Sequence, residues 1–156
     1  MTAAADDRVI IGWREYVALP EWGIRRLRAK IDTGARTSAI HVAEIQEIAE
    51  GRIRFEVVAR ERPTRRSVWV EAETARESTV KPSSGDRQQR SVVRTRMVLG
   101  GVTADIEISL VCRKEMLCRM LVGRRALEGL FVVDPSRKYV VSEPPRRPAG
   151  DAGGRP

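Results

Sequence analysis

Cysteine and histidine are scarce in this 156-residue chain, which has two cysteines, Cys112 and Cys118, and a single histidine, His41. Two cysteines cannot build a disulfide framework, which fits a reducing compartment. One histidine rules out a His-Glu-x-x-His zinc site, and His41 with two cysteines that have five residues between them is a poor substitute. The single histidine also leaves a serine nucleophile without its usual base. No Gly-x-x-x-x-Gly-Lys-Ser/Thr loop occurs, so P-loop nucleotide binding is unsupported. Aromatic residues are only 4% of the chain, too few for rows of base-stacking platforms, and no nucleic-acid-binding motif is present. No apolar run approaches the roughly 18 residues of a membrane span. Met1 to Asp7 is small and acidic and lacks a basic-then-apolar leader. The expectation is a cytoplasmic protein without secretory signal or membrane anchor.

Lysine is scarce too, and that turns attention to what is abundant. The chain carries 29 basic and 21 acidic residues, a net charge of +8, and only four of the basic residues are lysine. Arginine presents a planar fork that grips carboxylate or phosphate with two parallel hydrogen bonds. A surplus of this size suits an acidic partner or substrate, either an acidic polypeptide or a nucleic acid. It also suits a merely well-solvated surface.

Hydrophobic residues at 42% support one packed core in a chain of this length. Residues 1–8 read as a disordered lead. Residues 143–156, rich in Pro and Gly, have nothing to bury and read as a disordered tail. The domain is expected over 9–142. Period-2 alternation dominates it. Ile53, Phe55 and Val57 alternate with Arg52, Arg54 and Glu56. Val93, Thr95, Met97 and Leu99 alternate with arginines and lead through Gly100-Gly101, a two-residue hairpin turn, into Val102, Ala104, Ile106, Ile108 and Leu110. Leu27, Ala29 and Ile31 alternate with Arg28 and Lys30 and end at Asp32. Residues 9–19 and 130–141 add strand-like pieces, 38–49 is ambiguous between strand and helix, and one short helix is expected near Arg124–Leu127. Many short strands separated by turns predict an all-β barrel or sandwich. Residues 72–91 form a long polar excursion with a Pro82-Ser83-Ser84-Gly85 tip, either a solvated loop or a flap over a site. Trp13, Trp22 and Trp69 read as core or edge anchors, with Trp22 also a candidate partner contact. The cysteines read as buried small apolar residues.

Asp32-Thr33-Gly34-Ala35 carries the chemistry. Alone, it is an ordinary strand-ending turn. Here an apolar strand feeds the aspartate, and a second apolar strand ending in glycine, Met120-Leu121-Val122-Gly123, comes later. Together these elements resemble the retropepsin-like aspartic peptidases. In that family an Asp-Thr/Ser-Gly loop holds the catalytic aspartate, and a hydrophobic-hydrophobic-Gly strand packs beside it and runs into a short helix. A flap hairpin lies between the two in sequence. Ile11-Gly12-Trp13-Arg14-Glu15, the stretch from Ala29 through Asp32-Thr33-Gly34-Ala35-Arg36-Thr37-Ser38 to His41, and Met120 through Gly123-Arg124-Arg125-Ala126-Leu127 are similar to one bacterial branch. That branch, RimB-like, is associated with RimK-type glutamate ligases and is often labelled an ATP-dependent zinc protease. The likeness covers about residues 9–142.

The resemblance implies a closed retropepsin-like (acid protease) barrel with one short helix and an aspartic endopeptidase activity. Such an enzyme needs two carboxylates about 3 Å apart sharing one proton: the protonated one donates to the scissile carbonyl and the ionised one activates water. Asp32 is the implied catalytic residue, supported by Thr33 and Gly34. Ala35, Arg36, Ser84, Gly85 and Arg124 are the implied substrate contacts, although for Arg124 the resemblance favours a structural role at the strand ends. The chain has one Asp-Thr-Gly and no internal repeat. The second aspartate is therefore expected from a homodimer pairing Asp32 with Asp32 of a second copy. Asp86 and Asp105 are weaker candidates within one chain. Retroviral enzymes commonly have an aspartate where Arg36 stands, so the cleft is expected to favour acidic side chains. The ligase association points to glutamate-rich or poly-α-glutamate substrates, and possible partners are a glutamylated protein tail and the ligase itself. No metal, cofactor or ATP is expected. The alternatives are a non-catalytic module on the same fold that binds acidic peptides or the ligase, and a basic nucleic-acid binder.

Overall fold

A computed structural model of the chain describes residues 7–60, 62–80, 88–112 and 118–143. The expected flap-tip residues Ser84, Gly85 and Asp86 lie outside the described residues, as do most of the expected lead and tail.

The described residues form eleven strands, one short α-helix and one 3₁₀ turn. In chain order the strands are β1 (Val9–Gly12), β2 (Arg14–Leu19), β3 (Ile24–Asp32), β4 (Ser38–Ala49), β5 (Arg52–Arg60) and β6 (Arg66–Glu73). There follow β7 (Arg76–Val80), β8 (Gln88–Leu99), β9 (Val102–Val111), β10 (Met120–Gly123) and β11 (Phe131–Asp134). Helix α1 is Arg124–Leu127, and the 3₁₀ turn is Pro20–Trp22. Six strands close on themselves in the order β10-β3-β2-β8-β9-β4, with β4 returning to β10. This is the all-β closed barrel with one short helix that the resemblance implies, and of the barrel and sandwich that alternation leaves open it is the barrel.

Alternation builds the barrel wall. In β3, Leu27, Ala29 and Ile31 are buried while Arg28 and Lys30 are exposed. In β8 and β9, Val93, Met97, Leu99, Ile106, Ile108 and Leu110 fill the interior, with Arg94, Arg96 and Asp105 outside. Gly100 and Gly101 take φ of +57° and +79°, the left-handed pair that a two-residue hairpin needs. Phe55, Leu27, Ile40, Ile108 and Met120 are among the largest fully buried side chains.

The ambiguous stretch 38–49 is one long strand with two environments. Ser38 to Val42 are all buried, with β9 on one side and β10 on the other; residues 43–49 are exposed and leave the barrel to pair with β5. Alternation therefore fails along β4, because neither half is a half-buried strand. Within 72–91, the described residues 76–80 and 88–91 are strand. β7 and β8 pair antiparallel from Arg76↔Val92 to Val80↔Gln88, so the excursion is a hairpin that extends the barrel wall.

Of the tryptophans, Trp22 packs edge-on against Phe55, with ring centroids 5.3 Å apart. Trp69 stands at the edge strand β6, 40% exposed, under the Arg54 guanidinium. Cys118 is buried as expected, but Cys112 is exposed: it follows the last residue of β9, where the chain leaves the barrel wall.

Candidate active site

The Asp32 loop sits where β10 is inserted between β3 and β4. β10 runs parallel to β3, pairing Val122↔Ile31 and Gly123↔Asp32, and antiparallel to β4, pairing Leu121↔Ala39. Residues 33–37 therefore bridge two strands held apart by a third. Asp32 is half-buried, and Thr33 and Gly34 are exposed. The Gly34 N–H donates to Asp32 Oδ1 at 3.0 Å, and the Ala35 N–H donates to the Asp32 carbonyl at 3.2 Å. One carboxylate oxygen is thus fixed by the backbone of its own turn. The Thr33 hydroxyl, expected to hold the loop, makes no hydrogen bond among the described residues.

The β10–α1 junction clamps the loop from the other side. Gly123 N–H donates to Ser38 Oγ at 3.0 Å. Arg124 N–H donates to the Ala35 carbonyl at 2.8 Å, and Arg125 N–H to the Arg36 carbonyl at 3.2 Å. The Arg124 side chain donates through Nη1 to the Gly34 carbonyl at 3.3 Å. Arg124 is thereby engaged in ordering the loop, the structural role weighed for it. Glycine at 123 is a steric necessity: a Cβ there would lie 2.7 Å from the Thr37 carbonyl carbon and 3.0 Å from the Ala35 oxygen.

Beside the loop opens a cleft of about 650 Å³ lined by Arg36, Thr37, Ala39, Arg76, Ser78, Arg90, Glu107, Ser109 and Arg125. Asp32 is next to it in the loop rather than among its lining residues. Four arginines against one glutamate make the cleft electropositive. Glu107 is gripped by Arg76, whose Nε donates to Oε1 at 3.0 Å, and by Arg94, whose Nη2 lies 3.5 Å from Oε2. Arg36 is exposed and lines this cleft. Arg76, Arg90, Arg125 and Glu107 were not singled out from sequence. They come from β7, β8, α1 and β9 and are brought together by strand register and by the placement of α1; Arg125, two residues beyond the glycine that ends β10, carried the only sequence signal. A second depression, of about 360 Å³, lies between β6 and the 3₁₀ turn and shares no residue with the loop.

Asp105 is committed elsewhere, exposed and 3.4 Å from Arg96 Nε. His41 is 2% exposed within β4, and among the described residues no three His, Cys, Asp or Glu side chains converge. No helix among the described residues is long and apolar enough to cross a membrane.

Comparisons with known proteins bear on this arrangement. Residues 10–144 match the model of a family described as RimB-like, retropepsin-like aspartic endopeptidase RimB. A protein of Shewanella pealeana named "Probable alpha-L-glutamate ligase" is 32% identical over 142 residues, which is 89% of this chain and 31% of that protein. One of the same name from Desulfotalea psychrophila is 34% identical over 146 residues, 92% of this chain and 32% of that protein. The chain thus spans about a third of the length of these relatives. The crystal structure of Lpg0085 from Legionella pneumophila, described as a DUF785 protein of unknown function, superposes with a TM-score of 0.69 at 30% identity. It covers 86% of this chain and 98% of that one.

Proposed function

This chain belongs to the RimB-like family of retropepsin-like aspartic endopeptidases, and on that premise we propose that it hydrolyses peptide bonds in acidic, glutamate-rich chains. The observation that carries the reading is the pairing of a clamped Asp32 turn with an arginine-lined cleft that begins at Arg36 and Thr37. Asp32, with Thr33 and Gly34 around it, is the catalytic group. Arg36 is the substrate contact nearest to it, next to Ala35, and Ser84 and Gly85 are further substrate contacts in this reading.

The chemistry needs a second carboxylate. One Asp-Thr-Gly per chain and the exposure of Thr33 and Gly34 favour a homodimer in which a second copy brings its own Asp32. Two carboxylates that close cannot both ionise, so one keeps a proton at neutral pH. The protonated one hydrogen-bonds to the scissile carbonyl while the ionised one takes a proton from the attacking water. Hydrolysis of this kind proceeds without metal or ATP. The curated relatives, named as glutamate ligases and about three times as long, support a setting in which this domain trims what a ligase builds; the same reading sets it in the cytoplasm.

The test is to incubate the protein, and Asp32→Asn, with poly-α-glutamate and with a glutamate-tailed protein, in EDTA and without ATP. Cleavage by the wild type alone is the expected result. Equal cleavage by both proteins would sink the mechanism. The cleft favours one other reading, a binding module for acidic peptides or for the ligase; retained binding with no cleavage, in the presence or absence of metal and ATP, would select it.

A further inference from the structure

Among the described residues, the one carboxylate that lines the arginine cleft, Glu107, has an unusual set of partners. Glu107 faces Arg94 directly across the β8–β9 ladder. Its Oε1 receives both Nε and Nη2 of Arg76, each at 3.0 Å, while Oε2 turns toward Arg94. Both nitrogens of the fork therefore converge on a single oxygen, rather than matching two oxygens in parallel. Arg76 Nη2 also lies 3.5 Å from Thr37 Oγ1, so the guanidinium reaches from the hairpin to the loop that Asp32 opens. Among the described residues its Nη1 has no partner. Both side chains remain accessible, Arg76 at 43% and Glu107 at 30%. An exposed ion pair is held weakly and exchanges readily with a competing carboxylate.

We propose that Arg76 is the specificity-determining residue for an acidic side chain of the substrate, and that Glu107 is its internal competitor. Before substrate binds, Glu107 holds the fork toward Thr37. A substrate carboxylate takes the fork in its better, two-oxygen geometry, and Glu107 falls back on Arg94. The internal carboxylate keeps an electropositive cleft from holding every anion tightly, so that an acidic product can leave. The inference rests on the acidic-substrate part of the proposed function and not on the peptidase step.

The experiment reads binding alone, in the Asp32→Asn protein, with a fluorescent oligo-α-glutamate and its oligoglutamine counterpart. Expected are glutamate binding well above glutamine binding, about tenfold tighter glutamate binding in E107Q, and about tenfold weaker binding in R76Q. The deciding arm is the double variant, R76Q with E107Q: the gain from E107Q must vanish once Arg76 is gone, because the two act as one unit. Should R76Q lose its cooperative unfolding, R76K takes its place, keeping the charge but not the fork, and binding must still fall. An E107Q gain that persists without Arg76 would reduce Glu107 to a diffuse charge and overturn the inference. Weaker or unchanged binding in E107Q would overturn it too. Single-stranded RNA binding better than oligo-α-glutamate would make the cleft a phosphate groove and overturn it with the acidic-peptide reading. No glutamate binding at all would sink that reading first. Glutamate binding with the expected cycle but no hydrolysis by the wild type would leave the inference standing and remove only the peptidase step.

Discussion

Gly123 stands directly opposite Asp32 in the parallel pair of β10 and β3, and its missing side chain is what lets the Asp32 loop close over the end of β10. A methyl group there meets backbone rather than a yielding side-chain tip. Overpacking of a tight site costs about 1–3 kcal/mol. Gly123→Ala should lower stability by about that amount in denaturant unfolding and should abolish most hydrolysis, because Thr37 and Ala35 must move and carry the Asp32 turn with them. Full activity in Gly123→Ala would mean that the loop geometry is not what positions the carboxylate.

If two copies supply the two carboxylates, activity depends on association. Specific activity should fall on dilution below the dimer dissociation constant. Adding excess Asp32→Asn protein to a fixed amount of wild type should inhibit it, because mixed dimers hold one carboxylate only. Sedimentation run at the same concentrations supplies the comparison. Constant specific activity in a monomeric range would place the second carboxylate within one chain.

Glu15 makes a different kind of prediction. It is fully buried in β2, and its oxygens accept from Gly12 N–H at 2.7 Å, Val140 N–H at 2.8 Å and Ser142 Oγ at 2.6 Å. Tyr139 N–H adds a bond to the Arg14 carbonyl at 2.8 Å. One carboxylate thus fastens the chain after β11 onto the barrel. Each buried donor left without a partner costs about 1–3 kcal/mol. Glu15→Ala should destabilise the protein by several kcal/mol and speed hydrogen exchange at Val140 and Val141 ahead of the barrel strands. Unchanged exchange there would show that the segment is held by other means.

Asp134 gives the pH dependence. The Ser136 hydroxyl at 2.6 Å, the Ser136 N–H at 2.9 Å and the Arg137 guanidinium at 2.8 Å stabilise its charged form. They hold its pKa at about 2, down from 3.8, with the Ser136 hydroxyl the largest cause. A carboxylate depressed in the folded state adds stability above its unfolded pKa and loses it as pH falls through the folded one. The contribution should be complete above about pH 4 and fade toward pH 2. An NMR titration should find the Asp134 carboxyl titrating near 2, and Asp134→Asn should flatten the stability curve in that window. A midpoint near 3.8 would mean that the turn is not formed in solution.

Some of this was legible in the residues. Alternation gave β3, β5, β8 and β9, because a half-buried strand must alternate. Gly100-Gly101 gave a turn, because two successive left-handed residues tolerate little else. The Asp32 turn and the Leu121-Val122-Gly123 strand were visible as motifs, and α1 was placed at Arg124–Leu127. What failed were segments whose environment changes along their length. β4 lost its period because its first five residues are buried on both faces and the rest leave the barrel. The polar arms of the β7–β8 pair suit a solvated loop as well as a flap from their residues alone, because cross-strand pairing leaves no mark on one strand alone.

The sequence by itself therefore determined the local things: which stretches are strands, where the chain turns, and that Asp32 closes a strand with a glycine two residues on. Those follow from backbone sterics and from the two-residue period, which are properties of neighbours in the chain. Only the tertiary structure decided that Gly123 must lie against Thr37, that Arg124 holds the Gly34 carbonyl, and that Arg36, Arg76, Arg90 and Arg125 line one cleft with Glu107. Those residues are far apart in sequence, and register across the ladders alone sets who meets whom, since a slip of one residue would turn every side chain to the opposite face.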